Sequence, residues 1–381
     1  MMRPWRSASA FLRVALVLVA ALLAAEVLVR WLAPQPHLVI EAGLYEADPP
    51  GGYRLRPGYR GSITNRVEFD HAVVVDERGL RESPGTPGPT RLLVIGDSFT
   101  FGLGVRDDET FAARLARRPD LEVLNGGLPG IGVPALVDWY ERHGRALEPA
   151  LLLLAVFVGN DLADARPDRE ETRIVDGLVV PTVLRPGVGS WLYRHSDLAR
   201  LAKRAAGGPA LTSLRLAAGW REPWEISNLR WEFSIYATPP SAEIRAAEET
   251  TDRALARLAA LCAADGTRLL AALVPTRVQL EPEVWGATLV RLGLDPASHD
   301  REQPVRVFAR LLAAHGIPYT DLAPAFAAGL ADDPPLYYRQ DRHWTSAGHE
   351  LAARELAAFL EAQAGAADGG RLTALGTGAA R

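Results

Sequence analysis

The stretch Arg91-Leu92-Leu93-Val94-Ile95-Gly96-Asp97-Ser98-Phe99-Thr100-Phe101-Gly102 decides how the rest of this chain reads. Leu92 to Ile95 is a short continuous apolar run closed by glycine, the pattern of a strand buried on both faces of a parallel sheet. Outward from it the pattern recurs. The stretches 121–124, 151–158, 268–274 and 317–322 read as four more strands, 151–158 apolar throughout. Between and after them, 109–117, 134–146, 241–264, 305–314 and 346–363 read as helices, the first with Asp107 and Asp108 placed to suit its N-terminal turn. Strands alternating with helices of this length predict a mostly parallel five-stranded sheet covered on both faces.

Length and composition set outer limits. The 381 residues allow one large domain with extras, and 48% hydrophobic with 23% charged residues is an ordinary globular balance. A formal charge of -4 with a pI near 6.1 excludes a general nucleic-acid binder, which needs a basic stripe. Cys262 is the only cysteine and lies in an apolar run, so neither an intrachain disulfide nor thiol chemistry is expected.

The N-terminus carries Arg3, Arg6 and Arg13 ahead of an apolar run, with Glu26 and Arg30 near its end. Sixteen residues separate Arg13 from Arg30, about 24 Å of helix. Phe11, Leu12, Trp31 and Leu32 extend that span if the two arginines snorkel. Glu26 and Arg30 stand one turn apart and can pair near the interface. No small-residue cleavage site with a polar flank follows, which favours an uncleaved anchor over a signal peptide or a surface helix. The positive N-terminus then stays inside and the remainder crosses.

We divide the chain into an anchor at 1–33, an extended β arm at 34–90 and the main domain at 91–363. The arm ends in the Pro/Gly-rich turn Ser83 to Pro89, and the Gly/Ala-rich tail at 364–381 reads as disordered. An insertion at about 166–240 interrupts the alternation. It holds Trp191, Trp220, Trp224 and Trp231 without a clear period, and reads as a cap or lid over the sheet, or as a packed excursion.

In an open parallel sheet, function collects beyond the strand C-termini. Three polar clusters fall there: Gly96-Asp97-Ser98, Asn125-Gly126-Gly127-Leu128-Pro129-Gly130, and Gly159-Asn160-Asp161. Each alone is also a good turn sequence. Together they supply a hydroxyl nucleophile, glycine-exposed backbone N–H groups and a carboxamide, the parts that attack a carbonyl and hold its oxyanion. Of eight histidines, His343 stands two residues after Asp341 in the loop before the closing helix. In an extended loop both side chains project to one side, letting the carboxylate orient the imidazole toward a serine. Alone, His343 also reads as a surface loop residue. His349 falls in the closing helix, where a solvated or packing role is expected, and a zinc site from Asp341, His343 and His349 lacks a fourth ligand.

These four blocks, in this order, resemble the SGNH or GDSL hydrolase superfamily over about residues 91–363. Thr100 to Val105 and Asp76 to Arg81 are similar to its membrane-anchored bacterial members. The resemblance implies a flavodoxin-like three-layer α/β/α domain. It makes Ser98 the nucleophile, His343 and Asp341 the base and its partner, and Ser98, Gly130 and Asn160 the oxyanion donors, with no metal or organic cofactor. The superfamily's usual Asp–His spacing is three. The spacing of two in Asp341-Arg342-His343-Trp344 resembles the alginate O-acetyltransferase branch, in which the pair tends to precede the serine. The expected function is ester hydrolysis through an acyl-enzyme, on an O-acyl group of a glycan or lipid at the periplasmic face of the bacterial cytoplasmic membrane. The alternatives are O-acetyl transfer to exported polysaccharide, or a non-catalytic glycan-binding or assembly protein of the same fold.

Overall fold

The computed structural model describes residues 5–49, 52–165, 172–181, 188–206, 230–331 and 333–375. The five expected strands are present as β6 (Thr90–Gly96), β7 (Leu121–Gly127), β8 (Leu151–Phe157), β11 (Arg268–Val274) and β12 (Tyr319–Asp321). They form one all-parallel sheet in the order β12-β11-β8-β6-β7. Numbered by their order in the chain this is 2-1-3-4-5, the flavodoxin-like arrangement, whose switch point lies between β6 and β8.

Alternation along the strands sorts the core into two layers. Leu93, Ile95, Leu152, Leu154 and Leu273 face one side; Leu92, Val94, Leu153, Ala155 and Leu270 face the other. The first side is covered by α4 (Val133–Trp139), α7 (Ala242–Asp265) and α10 (Gln303–Ala314), the second by α3 (Phe111–Leu115), α11 (Ala323–Ala328) and α12 (Ser346–Leu375). Two short helices, α8 (Arg277–Leu280) and α9 (Pro282–Leu292), follow β11 without a forecast in the sequence reading. Helix α12 extends past Gln363 to Leu375.

The arm is more than a leader. Strands β1 (Val39–Ile40), β4 (Arg60–Thr64) and β5 (Asp70–Val74) form one antiparallel sheet, β2 (Tyr45–Ala47) and β3 (Tyr53–Leu55) another. Leu44, Leu55, Ile63, Phe69 and Val73 are buried in the same core layer as Leu93 and Leu154. So the Pro/Gly turn at 83–89 marks a change of pattern and not a break in packing.

Helix α1 (Trp5–Leu32) includes one apolar run, Ala10–Leu32, of 23 residues, long and apolar enough to cross a membrane. The described part of the insertion has three destinations. The hairpin β9 (Thr172–Val175) and β10 (Leu178–Pro181) meets the arm through Gly43 N–H to Asp176 O and Tyr45 N–H to Gly177 O. Helices α5 (Val188–His195) and α6 (Asp197–Ala206) dock on α1. Residues 230–236 reach the C-terminal edge of the sheet; Trp220 and Trp224 lie outside the described residues.

Candidate active site

Strand β6 ends at Gly96, and Asp97 caps the four-residue helix α2 (Ser98–Phe101) by accepting from Phe99 N–H at 2.9 Å. Aspartate suits that role because it satisfies an otherwise orphan helix donor. Helix α2 packs directly on β7: an added Cβ at Gly127 would lie 2.1 Å from Phe101 N, so only glycine admits the approach. Ser98 is thereby set at the switch point.

The candidate base arrives from the far end of the chain. Tyr337 and Trp344 pair in an antiparallel bridge, and Tyr338 N–H donates to His343 O, so residues 338–343 form a tight hairpin. Arg342 sits in left-handed backbone at φ 77°. The expected extended loop is therefore a turn, and it is the turn that folds Asp341 under the imidazole. His343 Nδ1 lies 2.5 Å from Asp341 Oδ1, and Nε2 lies 2.8 Å from Ser98 Oγ. A carboxylate only accepts, so Nδ1 carries the proton and Nε2 accepts from the serine hydroxyl. The competing contact, Ser98 Oγ to Asp97 Oδ2, is 3.4 Å, too long to divert it. Burial pushes the Asp341 carboxyl up, but the hydrogen bond and charge of His343 outweigh it and hold the group below the usual carboxylate range. Phe99 seats the imidazole, its ring 4.9 Å from that of His343.

Asn160 stands beyond β8 in the turn fixed by Asp161, whose carboxylate accepts from Phe157 N–H at 2.9 Å. Ser98, His343, Asp341 and Asn160 open on one cavity of about 160 Å³, walled also by Phe233 and Tyr236 from the insertion. Asn160 Oδ1 is buried without a hydrogen-bond partner, so the amide remains uncommitted on that side. Gly130 is outside this lining. It is exposed on the neighbouring loop at φ 80°, beside Tyr53, whose hydroxyl donates to Pro129 O. A larger cavity of about 270 Å³, between Pro84 and Leu124, holds none of these residues.

His349 is fully enclosed. It accepts from Phe111 N–H at 3.2 Å and stacks on the Phe111 ring. Burial drives its pKa well below the ordinary histidine value, so it stays neutral and serves packing.

Three contacts from the arm were invisible in the sequence. Tyr53 holds the Pro129–Gly130 loop. Glu68 accepts from the N–H groups of Gln340 and Asp341, each at 2.9 Å. Arg81, its side chain wholly enclosed, pairs with Asp107 at 2.9 Å and donates to the carbonyls of Phe101, Gly102 and Val105. Each grips a different loop of the site.

Asp97 was read only as a turn residue, yet it is 3% exposed, and burial raises its pKa to about 6. The unfolded chain titrates near ~3.9. Its contribution to stability is therefore full below ~pH 4 and is lost as pH rises through about 6. Asp97→Asn keeps the cap and removes the charge. The melting temperature of the variant relative to the parent should climb between pH 4 and pH 8; a flat difference would refute the assignment.

Residues 228–379 match the family described as the SGNH hydrolase-like domain of acetyltransferase AlgX. Over those residues the chain is similar to that SGNH hydrolase-like domain. The matched stretch holds Asp341 and His343, whereas Ser98, Gly130 and Asn160 precede it. Solved structures similar to this chain include acetylxylan esterase Axe2 of Geobacillus stearothermophilus, 16% identical over 70% of this chain and 92% of that one, TM-score 0.37. Another is LAE5, an alpha/beta hydrolase from the Lake Arreo metagenome, 17% identical over 72% and 95%, TM-score 0.38. A third is a lipolytic protein of the G-D-S-L family from Desulfitobacterium hafniense, 16% identical over 70% and 98%, TM-score 0.35. Identities this low carry nothing about substrate. The sequence matches no curated protein.

Proposed function

We propose that the chain is a serine esterase, anchored by α1 with its catalytic domain outside the cytoplasm, acting on an O-acyl group of a glycan or lipid. One observation supports this above the others: the unbroken Asp341–His343–Ser98 chain of hydrogen bonds beside Asn160 in a single cavity. In this reading Ser98 Oγ attacks the ester carbonyl while His343 Nε2 takes its proton. Asp341 steadies the imidazolium. The tetrahedral oxyanion is held by the Ser98 backbone N–H and the Asn160 carboxamide, with Gly130 as the further donor that the family resemblance suggests. Collapse expels the alcohol, protonated by His343, and leaves an acyl-enzyme. Water attacking that ester with His343 again as base gives hydrolysis; a sugar hydroxyl attacking it gives transfer.

Transfer is the second reading, and what favours it is the match of residues 228–379 to the domain of an acetyltransferase. The deciding experiment treats the detergent-solubilised chain with a fluorophosphonate and maps the adduct, then follows nitrophenyl acetate turnover with and without an acetyl-free oligosaccharide. An adduct on Ser98 and acetate release support the esterase; acetylated oligosaccharide supports transfer. Neither label nor turnover would leave a non-catalytic binding protein.

Asn160→Ala should lower kcat about 10²–10³-fold with little change in KM, the usual effect of removing one oxyanion donor. If KM rose while kcat held, Asn160 would be a substrate contact instead.

A further inference from the structure

Helix α6 leaves much of its apolar side uncovered. Near its start Asp197 and Arg200 are 5% and 1% exposed, while residues 201–205, the apolar Leu201, Ala202 and Ala205 among them, are all exposed. At 100° per residue, Leu198, Leu201, Ala202 and Ala205 share an arc of about 100°, a complete apolar stripe. A helix on a soluble domain turns such a stripe inward. Helix α5 continues the surface with Trp191 and Leu192, 55% and 41% exposed.

The buried polar side explains what holds the pair. Glu26 of α1 accepts from Ser196 Oγ at 2.7 Å and from the N–H groups of Asp197 and Leu198, capping α6 from another helix. Arg30 donates to His195 O, and Asp197 accepts from Gln35 N–H. Arg200 pairs with Asp197 and donates to Tyr193 O and Arg194 O. The α5–α6 pair is thus fastened to the last turn of α1 and the residues after it. The exposed apolar residues of α1 there, Val27, Leu28, Trp31 and Leu32, adjoin the same junction.

We propose that α5 and α6 lie on the extracytoplasmic leaflet of the bilayer, with the stripe and Trp191 set into the boundary between headgroups and acyl chains. Exposed Arg204 flanks the stripe and, with exposed Arg194 on α5, suits anionic phospholipid headgroups. The occupant follows from continuity: an apolar face fixed to the end of a membrane helix sits at the height where that helix leaves the hydrocarbon. The pair would act as an outrigger, holding the domain at one tilt. This rests on α1 being the membrane anchor, and the test separates the two.

Cys262 is buried and sole, so in a Cys262→Ala background single nitroxides report unambiguously. The full chain, labelled at Leu192→Cys, Leu201→Cys, Leu22→Cys in α1 or Val290→Cys in α9, goes into phosphatidylcholine–phosphatidylglycerol vesicles. Power saturation then compares oxygen with a water-soluble nickel chelate. Val290, 76% exposed on the catalytic domain, is the aqueous control. Positions 192 and 201 should favour oxygen at a depth of about 5–10 Å, shallower than 22. If 22 lies in lipid while 192 and 201 match 290, the outrigger is wrong and the anchor stands. Low access to both agents at 192 and 201 would mean that protein covers the stripe, which also overturns it. Aqueous access at 22 would refute the anchor and the outrigger together.

Discussion

Replacing Ser98 by alanine should reduce ester turnover by about 10³-fold or more, and His343→Ala should do the same. The two should not multiply. Their side chains meet at 2.8 Å, and the imidazole has no substrate proton to take unless the hydroxyl is there to give one. A double variant should therefore lose no more than either single variant. Asp341→Asn should be milder but still severe, because the amide can donate to Nδ1 and turn Nε2 from acceptor to donor. All three should abolish or sharply slow fluorophosphonate labelling, which needs nucleophile and base but no natural substrate. The measurement is kcat/KM on nitrophenyl acetate together with the labelling rate. A Ser98→Ala chain that still labels at full rate, on any serine, would break the assignment; so would multiplying losses.

Arg81→Met should destabilise the fold by about 3–5 kcal/mol, the cost of breaking a buried ion pair from one side. The methionine roughly fills the space, so the loss is electrostatic. Asp107 keeps a largely enclosed carboxylate without its cation, and the carbonyls of Phe101, Gly102 and Val105 lose their donor. Arg81→Lys should recover only part of this, since an ammonium lacks the planar fork that reaches an acid and three carbonyls at once. Because those carbonyls follow Ser98 on α2 and its connection, labelling of the folded fraction should slow as well. Urea titration and labelling below the transition measure the two effects. A loss under 1 kcal/mol would mean the enclosed guanidinium is not holding the loop.

The sheet was legible because it is buried on both faces. A strand with helices above and below must be apolar at every position, and 92–95 and 151–158 are. The candidate site was legible for a related reason: in this topology polar residues straight after such runs fall on one edge. What escaped is of two kinds. Boundaries slipped where local geometry departs from a regular helix, as in the π turn Tyr140–Gly144 that follows α4. Long-range polar grips escaped altogether. Glu68 and Arg81 look like ordinary charges in a turn-rich segment, and nothing near them in sequence names Gln340 or Phe101 as partners. The surface of the α5–α6 pair was hidden because an amphipathic stripe says where the apolar face is, not whether protein or lipid meets it.

The arm's hold on the loops of the candidate site also bears on when the proposed activity could appear. Glu68 and the backbone of Gln340 are 272 residues apart, and that contact waits for nearly the whole chain. A chain emerging N-terminus first presents Glu68 and Arg81 early, then the serine, and the acid and base almost last. Until residues 340–343 emerge, the proposed nucleophile lacks its proposed proton acceptor and Glu68 has nothing to close on. In the proposed mechanism synthesis order would thus impose a delay: chains ending before Asp341 should stay inert, and activity should appear only once the arm and the 338–343 hairpin have met.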